Sequence, residues 1–199
     1  FTVNKDGTPQ VVKMKDDVSR IYISKKAIAG KDELEGATLK IVKGTDENGP
    51  LAVQPWVSQK TPKLIEQLPD GVYTLVEITA PQGFAVAESI TFTIKDGKVV
   101  GTKDDTITMY DAYEGDVVIS KKSISGADEL EGATLKVVKI AADGTETLVD
   151  KWVSGSKPRT ITGLLDGKYK LIEETAPNGH LVAESIEFVI FEGKVTNAG

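Results

Sequence analysis

The chain has 199 residues, the length of one large domain or two of about 100, and carries 24 Lys and Arg against 30 Asp and Glu for a net charge of −6. That acidic balance argues against a non-specific binder of nucleic acid or anionic membrane, and no apolar run approaches the ~18–20 residues of a membrane span. Zero cysteines and a single histidine, His180, remove thiolate metal sites, cysteine nucleophiles, disulfides and most histidine catalysis, so no cofactor or metal is expected.

In chain order, residues 1–17 (FTVNKDGTPQVVKMKDD) resemble 92–111 (FTIKDGKVVGTKDDTITMYD) with a shorter loop, and read as the closing strands of a preceding repeat. Runs rich in Val, Ile, Thr, Tyr and Phe then predict strands near 18–26, 37–43, 51–58, 72–78, 88–95 and 106–111, with a further one around 62–67. Turn dipeptides such as Asn48-Gly49, Asp70-Gly71 and Asp96-Gly97 separate them. Lys31–Glu35 (KDELE) predicts one helical turn. Asp111–Asp116 (DAYEGD) is a short linker between domains expected to stand end to end.

After the linker the pattern starts again. Shifted by 96 residues, 21–103 falls on 117–199 without a gap, and 43 of the 83 positions are identical. Asp32 to Lys40 (DELEGATLK) returns intact as Asp128 to Lys136, and Val86 to Ile90 (VAESI) as Val182 to Ile186. The expected architecture is all-β: tandem immunoglobulin-like antiparallel β-sandwiches. Residues 18–112 form a complete repeat, and 117–199 a second that lacks its last strand.

Side chains alternate faces along a strand. In the first strand Ile21 and Ile23 are followed in register by Lys25; the second copy reads Val117, Ile119, Lys121. In the middle strand Tyr73 and Leu75 lead to Glu77, and Tyr169 and Leu171 to Glu173. In the last, Ile107 and Met109 lead to Asp111, and in the first segment Val12 and Met14 lead to Asp16. One such residue reads most simply as a rim charge at a strand end. Three strands sharing the feature favour a buried Lys–Glu–Asp cluster.

Buried charges are costly, and burial favours a neutral amine and a neutral carboxylic acid. Held in contact, those two groups are a nucleophile and an electrophile, and fixed geometry can supply on the order of 7–11 kcal/mol of the barrier. A second carboxyl can shuttle protons. The product is a Lys–Asp amide, with water lost.

YISKK around Lys25, GATLK at 36–40, Trp56-Val57-Ser58 and YTLVEITAPQGF at 73–84 resemble the B-type repeat of Gram-positive collagen-binding adhesins (Cna B-type, prealbumin-like), a domain that also builds pilin shafts. YTLVEITAPQGF is similar to the pilin E-box. ITMYDAY at 107–113 resembles the closing strand of the streptococcal domain split to make the SpyTag/SpyCatcher pair. The resemblance implies an intramolecular isopeptide bond between Lys25 and Asp111, with Glu77 as the catalytic glutamate. It implies the same roles for Lys121 and Glu173, which have no closing Asp in their own repeat. Asp16 is their expected partner if the first segment of one molecule adds as a strand to the open repeat of another; the alternative is that this segment rests against repeat 1.

Other signals read as structural. Leu68-Pro69-Asp70-Gly71 is a turn, Thr45–Gly49 a hairpin rather than a calcium loop, and Trp56 and Trp152 half-buried packing residues. His180, at the position of Phe84, is expected to pack at a turn. The leading reading is a structural stalk or shaft segment of a Gram-positive cell-surface adhesin or pilus-like protein, extracellular and anchored to the cell wall. Its expected partners are neighbouring repeats. The alternative is a module binding a host matrix protein such as collagen, fibronectin or fibrinogen, or a glycan. The stretch that differs most between the copies, 44–52 against 140–148, is small and polar, which favours a spacer. A turnover enzyme is not expected, because the cluster acts once on itself.

Overall fold

The structure is a computed structural model that describes residues 18–124 and 126–198. The expected closing strands at 1–17, Asp16 among them, lie outside the described residues. β-branched and aromatic residues alternating with polar ones produce strands that bury one face. Repeat 1 contains β1 (Arg20–Ala27), β2 (Thr38–Lys43), β3 (Leu51–Val57), β4 (Lys63–Glu66), β5 (Gly71–Thr79), β6 (Ile90–Lys95), β7 (Lys98–Val99) and β8 (Thr106–Asp111). They form a three-stranded sheet, β4-β1-β8, and a five-stranded sheet, β3-β2-β5-β6-β7. Neighbours are antiparallel except for the closing pair, in which β8 runs parallel to β1 from Tyr22↔Thr106 to Ala27↔Asp111.

The core lies between the two sheets. Ile21 and Ile23 of β1 and Ile107 and Met109 of β8 pack with Leu39, Ile41, Leu75, Phe92 and Ile94 of the larger sheet. β7 is a short strand the sequence reading did not separate. Asp96 and Gly97 both take positive φ, 54° and 74°, in the tight turn that enters it. The Asp70 carboxylate accepts the backbone N–H groups of Asp96 (2.7 Å) and Gly97 (3.1 Å). Those bonds hold its pKa below the usual carboxylate range.

Repeat 2 reproduces the larger sheet as β11-β10-β13-β14-β15, built from β10 (Thr134–Ile140), β11 (Glu146–Val153), β13 (Gly167–Thr175), β14 (Ile186–Phe191) and β15 (Lys194–Ala198). Its other sheet has two strands, β9 (Glu114–Ile119) and β12 (Arg159–Leu165), with no described counterpart of β8. One consequence is visible in β9 itself. β1 continues through Lys25 to Ala27, whereas β9 stops at Ile119, before Lys121, where none of the described residues supplies a parallel ladder.

The structure corrects two expectations. KDELE is not helical: Glu33 bridges to Lys26, and its carboxylate accepts from Ser24 Oγ (2.6 Å) and the Lys25 N–H (2.9 Å), pinning the segment beside β1. His180 sits at a turn but is exposed, with Nδ1 3.3 Å from the Asn178 carbonyl oxygen, rather than packed. Trp56 and Trp152 are half-buried against their cores, as the strand pattern implied.

Candidate functional site: a buried Lys–Glu–Asp cluster

β1, β5 and β8 each deliver one ionisable side chain to the same point inside repeat 1. Lys25 is 1% exposed, Glu77 5% and Asp111 0%. Lys25 and Asp111 come from adjacent parallel strands of one sheet, and Glu77 projects from the facing sheet, where it pairs in register with Leu39. The Lys25 Nζ donates directly to Asp111 Oδ1 and lies 3.1 Å from Glu77 Oε1.

The backbone around these groups is fixed. The Lys25 carbonyl accepts from the Leu34 N–H (2.6 Å) and the Asp111 carbonyl from the Ile28 N–H (2.8 Å). Glu77 Oε2 accepts the Ala87 N–H at 2.7 Å. Asp111 Oδ2 is buried with no hydrogen-bond partner, a costly arrangement for a charged carboxylate, and Glu77 Oε1 faces the Lys25 ammonium. Burial is the main force on Asp111, lifting its pKa to about 6; the Lys25 ammonium pulls it back, and the Glu77 charge adds to the rise.

Repeat 2 holds half of this arrangement. Lys121 Nζ is 3.2 Å from Glu173, whose Oε2 accepts the Ala183 N–H at 2.6 Å. Glu129 accepts from Ser120 Oγ and the Lys121 N–H as Glu33 does in repeat 1, and those bonds hold the Glu129 pKa below its usual value. The Lys121 side chain is 18% exposed against 1% for Lys25, and the buried Glu173 Oε1 faces the Lys121 ammonium at 3.2 Å. Asp16, the expected partner of Lys121, lies outside the described residues.

Three elements of the site escaped the sequence reading. The Ala87 and Ala183 N–H groups orient the two glutamates through backbone, which side-chain patterning cannot show. The intact return of VAESI and DELEGATLK was the available signal for them and for the Glu33 and Glu129 braces. The third is the contact between Phe84 and Tyr113, whose rings lie 4.6 Å apart. Among the described residues there is no group of His, Cys, Asp or Glu able to hold a metal ion, and no helix long and apolar enough to cross a membrane.

Comparison with curated proteins returns no match. Among solved structures, the chain is similar to a streptococcal ancillary pilin (22% identity, TM-score 0.45), covering 95% of this chain and 64% of that one. It is similar also to the TIE protein of Bacillus anthracis (24%, TM-score 0.39), covering 87% and 31%. A third similar structure is the shaft pilin SpaA from Lactobacillus rhamnosus GG (15%, TM-score 0.40), covering 87% and 93%. The chain thus spans less than two thirds of the first two proteins. The family model for the SpaA prealbumin-like fold domain matches residues 19–106 and again 115–198, so the chain belongs to that family, as two tandem copies of its domain.

Proposed function

We propose that this chain is a structural segment of a Gram-positive surface stalk or pilus-like shaft, with repeat 1 locked by a Lys25–Asp111 isopeptide bond formed with the help of Glu77. The observation that carries the reading is the geometry of the amine. It touches one buried carboxyl and lies 3.1 Å from a second, and all three side chains are buried. The family membership, the pilin-like sequence motifs and the likeness of the closing strand to that of the SpyTag/SpyCatcher parent domain support the same role. On this reading residues 18–112 are one closed unit and 117–199 belong to a second repeat, extracellular and attached to the cell wall.

The reaction balances without a cofactor. The Lys25 ammonium passes a proton, by way of Glu77, to the Asp111 carboxylate, giving a neutral amine against a neutral acid. Nζ attacks Cγ of Asp111 and Glu77 takes the second amine proton. It returns that proton to the departing hydroxyl, so one C–N bond forms, one C–O bond breaks and one water leaves. Glu77 ends as it began. Lys25 and Asp111 are consumed, so this is a single event rather than enzymatic turnover.

Repeat 2 offers Lys121 and Glu173 to a carboxylate on a closing strand beside β9. The segment of this chain with the matching pattern is Val12, Met14, Asp16. Asp16 is four residues from Arg20 at the start of β1 and can reach no more than about 14 Å from it. Lys121 lies beyond the far end of β9, on the other side of the linker that follows β8. With Asp16 as the donor, the strand comes from a second copy, which joins chains head to tail. Intact mass under denaturing conditions tests both bonds. Wild type should be lighter than its sequence by one water, about 18 Da, and Glu77→Ala should have the full mass. A full-mass wild type refutes the Lys25–Asp111 bond, and a denaturing gel of concentrated protein without dimers or a ladder refutes the Asp16–Lys121 bond.

A further inference from the structure

We propose that Phe84 and Tyr113 form a positioning clamp that brings the two carboxyl groups of the repeat 1 cluster together, an inference that rests on the cross-linking reading above. The loop between β5 and β6 tethers both. At one point its Ala87 N–H holds Glu77 Oε2 at 2.7 Å. Two residues earlier its Ala85 N–H donates to the carbonyl of Ala112, the residue after Asp111, at 2.9 Å. Phe84 and Tyr113 then make an antiparallel bridge, with rings 4.6 Å apart and inclined at 36°. The Glu114 N–H closes the contact on the Gly83 carbonyl at 3.0 Å. Gly83 takes φ of 86°, which sets the turn that presents Phe84.

The two repeats separate the parts of this device. The glutamate tether is common to both, since Ala183 holds Glu173 as Ala87 holds Glu77. Among the described residues the aromatic pair is found in repeat 1. In repeat 2 the place of Phe84 is taken by His180, which is exposed.

The clamp also reaches the next repeat. The Tyr113 carbonyl accepts the N–H of Asp166, at the turn between β12 and β13, at 3.3 Å. The two residues between β8 and β9 therefore bond on one side to the loop that holds Glu77 and on the other to repeat 2. Docking Tyr113 on Phe84 fixes Asp111, two residues away, in the same step that orders the loop over Glu77. Misplacing reacting atoms by an ångström is enough to slow such a reaction substantially.

The test is the rate of water loss in the whole chain, made by cell-free synthesis, quenched at intervals into denaturant and weighed intact. Phe84→Ala and Tyr113→Ala should each slow cross-linking roughly two- to tenfold, the range of an aromatic pair. The double variant should be scarcely slower than either single one, because the rings act as a unit. Phe84→Tyr should restore the rate. Ile94→Val, a core truncation away from the loop, should leave it unchanged. If Phe84→Ala reacts at the wild-type rate, or Ile94→Val slows the reaction as much, the clamp is overturned while the cross-link stands. A wild-type chain that never loses water overturns the cross-link and the clamp with it.

Discussion

Glu77→Gln should separate the mechanical consequence of the bond from the packing of the domain. Gln keeps the volume and can still accept the Ala87 N–H that Glu77 Oε2 accepts at 2.7 Å, but it cannot carry the amine proton to the leaving hydroxyl. The bond would join residues 86 apart in sequence. Closing a loop of that length removes about 4.6 kcal/mol of chain entropy from the unfolded state, by the argument used for disulfides. For a domain of about 95 residues this corresponds to a fall in Tm of roughly 20–25 °C. Each repeat contains one tryptophan, Trp56 or Trp152, so fluorescence-detected melting of Trp152→Phe and Trp56→Phe backgrounds reports the repeats one at a time. The transition of repeat 1 should drop by that amount in Glu77→Gln, and that of repeat 2 should stay in place. A drop below about 5 °C, or one shared equally by both repeats, would refute the loop-closure reasoning.

The pH dependence of bond formation follows from the raised pKa of Asp111. A neutral amine facing a neutral acid carries as many protons as an ammonium facing a carboxylate, so the reactive fraction does not change with pH while the pair holds that number of protons, a range whose lower edge is the Asp111 pKa of about 6. Below it an extra proton accumulates on the pair, and the rate should fall about tenfold per pH unit; quenched-flow mass measurements showing a flat rate down to pH 4.5 would contradict this. Ser58→Ala should destabilise repeat 1 by about 2 kcal/mol in urea titration, because the buried Ser58 Oγ accepts the Ala37 N–H (2.9 Å) and donates to the Leu34 carbonyl (2.7 Å). Ser154→Ala should do the same to repeat 2, where the bonds to Ala133 and Leu130 are 2.9 and 2.6 Å; a loss below about 0.5 kcal/mol in either would show that water replaces the hydroxyl. Pulled from its ends in a force microscope, one molecule should show a single unfolding event of roughly 280 Å, the contour of about 80 residues of repeat 2. Glu77→Gln should add a second event, and two events in wild type would mean that repeat 1 is not closed.

The all-β repeats were legible because strands announce themselves through alternation and through Asp-Gly and Asn-Gly turns. The three inward charges were legible for the same reason: Lys25, Glu77 and Asp111 each continue an apolar register, and all three are buried. Patterning could not show that β8 runs parallel to β1 rather than antiparallel, since alternation carries no direction. Nor could it show that KDELE is extended. Helix propensity favoured a turn there, but the Glu33 carboxylate bonds Ser24 and the Lys25 backbone, and that tertiary contact outweighs propensity. The end of β9 at Ile119 was equally out of reach. It depends on which strand lies alongside, a property of the assembled sheet rather than of residues 114–121.

The difference between Lys25 and Lys121 shows what the closing strand contributes. Both lysines stand beside a glutamate tethered by an alanine N–H, and both have a second glutamate bracing their backbone. Only Lys25 is sealed, at 1% side-chain exposure against 18%. β8 both brings the aspartate and excludes water, so the groups meet at the moment they lose their hydration. As ions in that site they carry a desolvation penalty that their attraction need not offset, and Asp111 Oδ2 is left without a hydrogen-bond partner. The proposed amide would remove two of the three charges and release a water to solvent. The cost of burying the cluster would then last only until the bond formed. The Lys121–Glu173 pair is spared part of that cost because the Lys121 side chain stays partly wet.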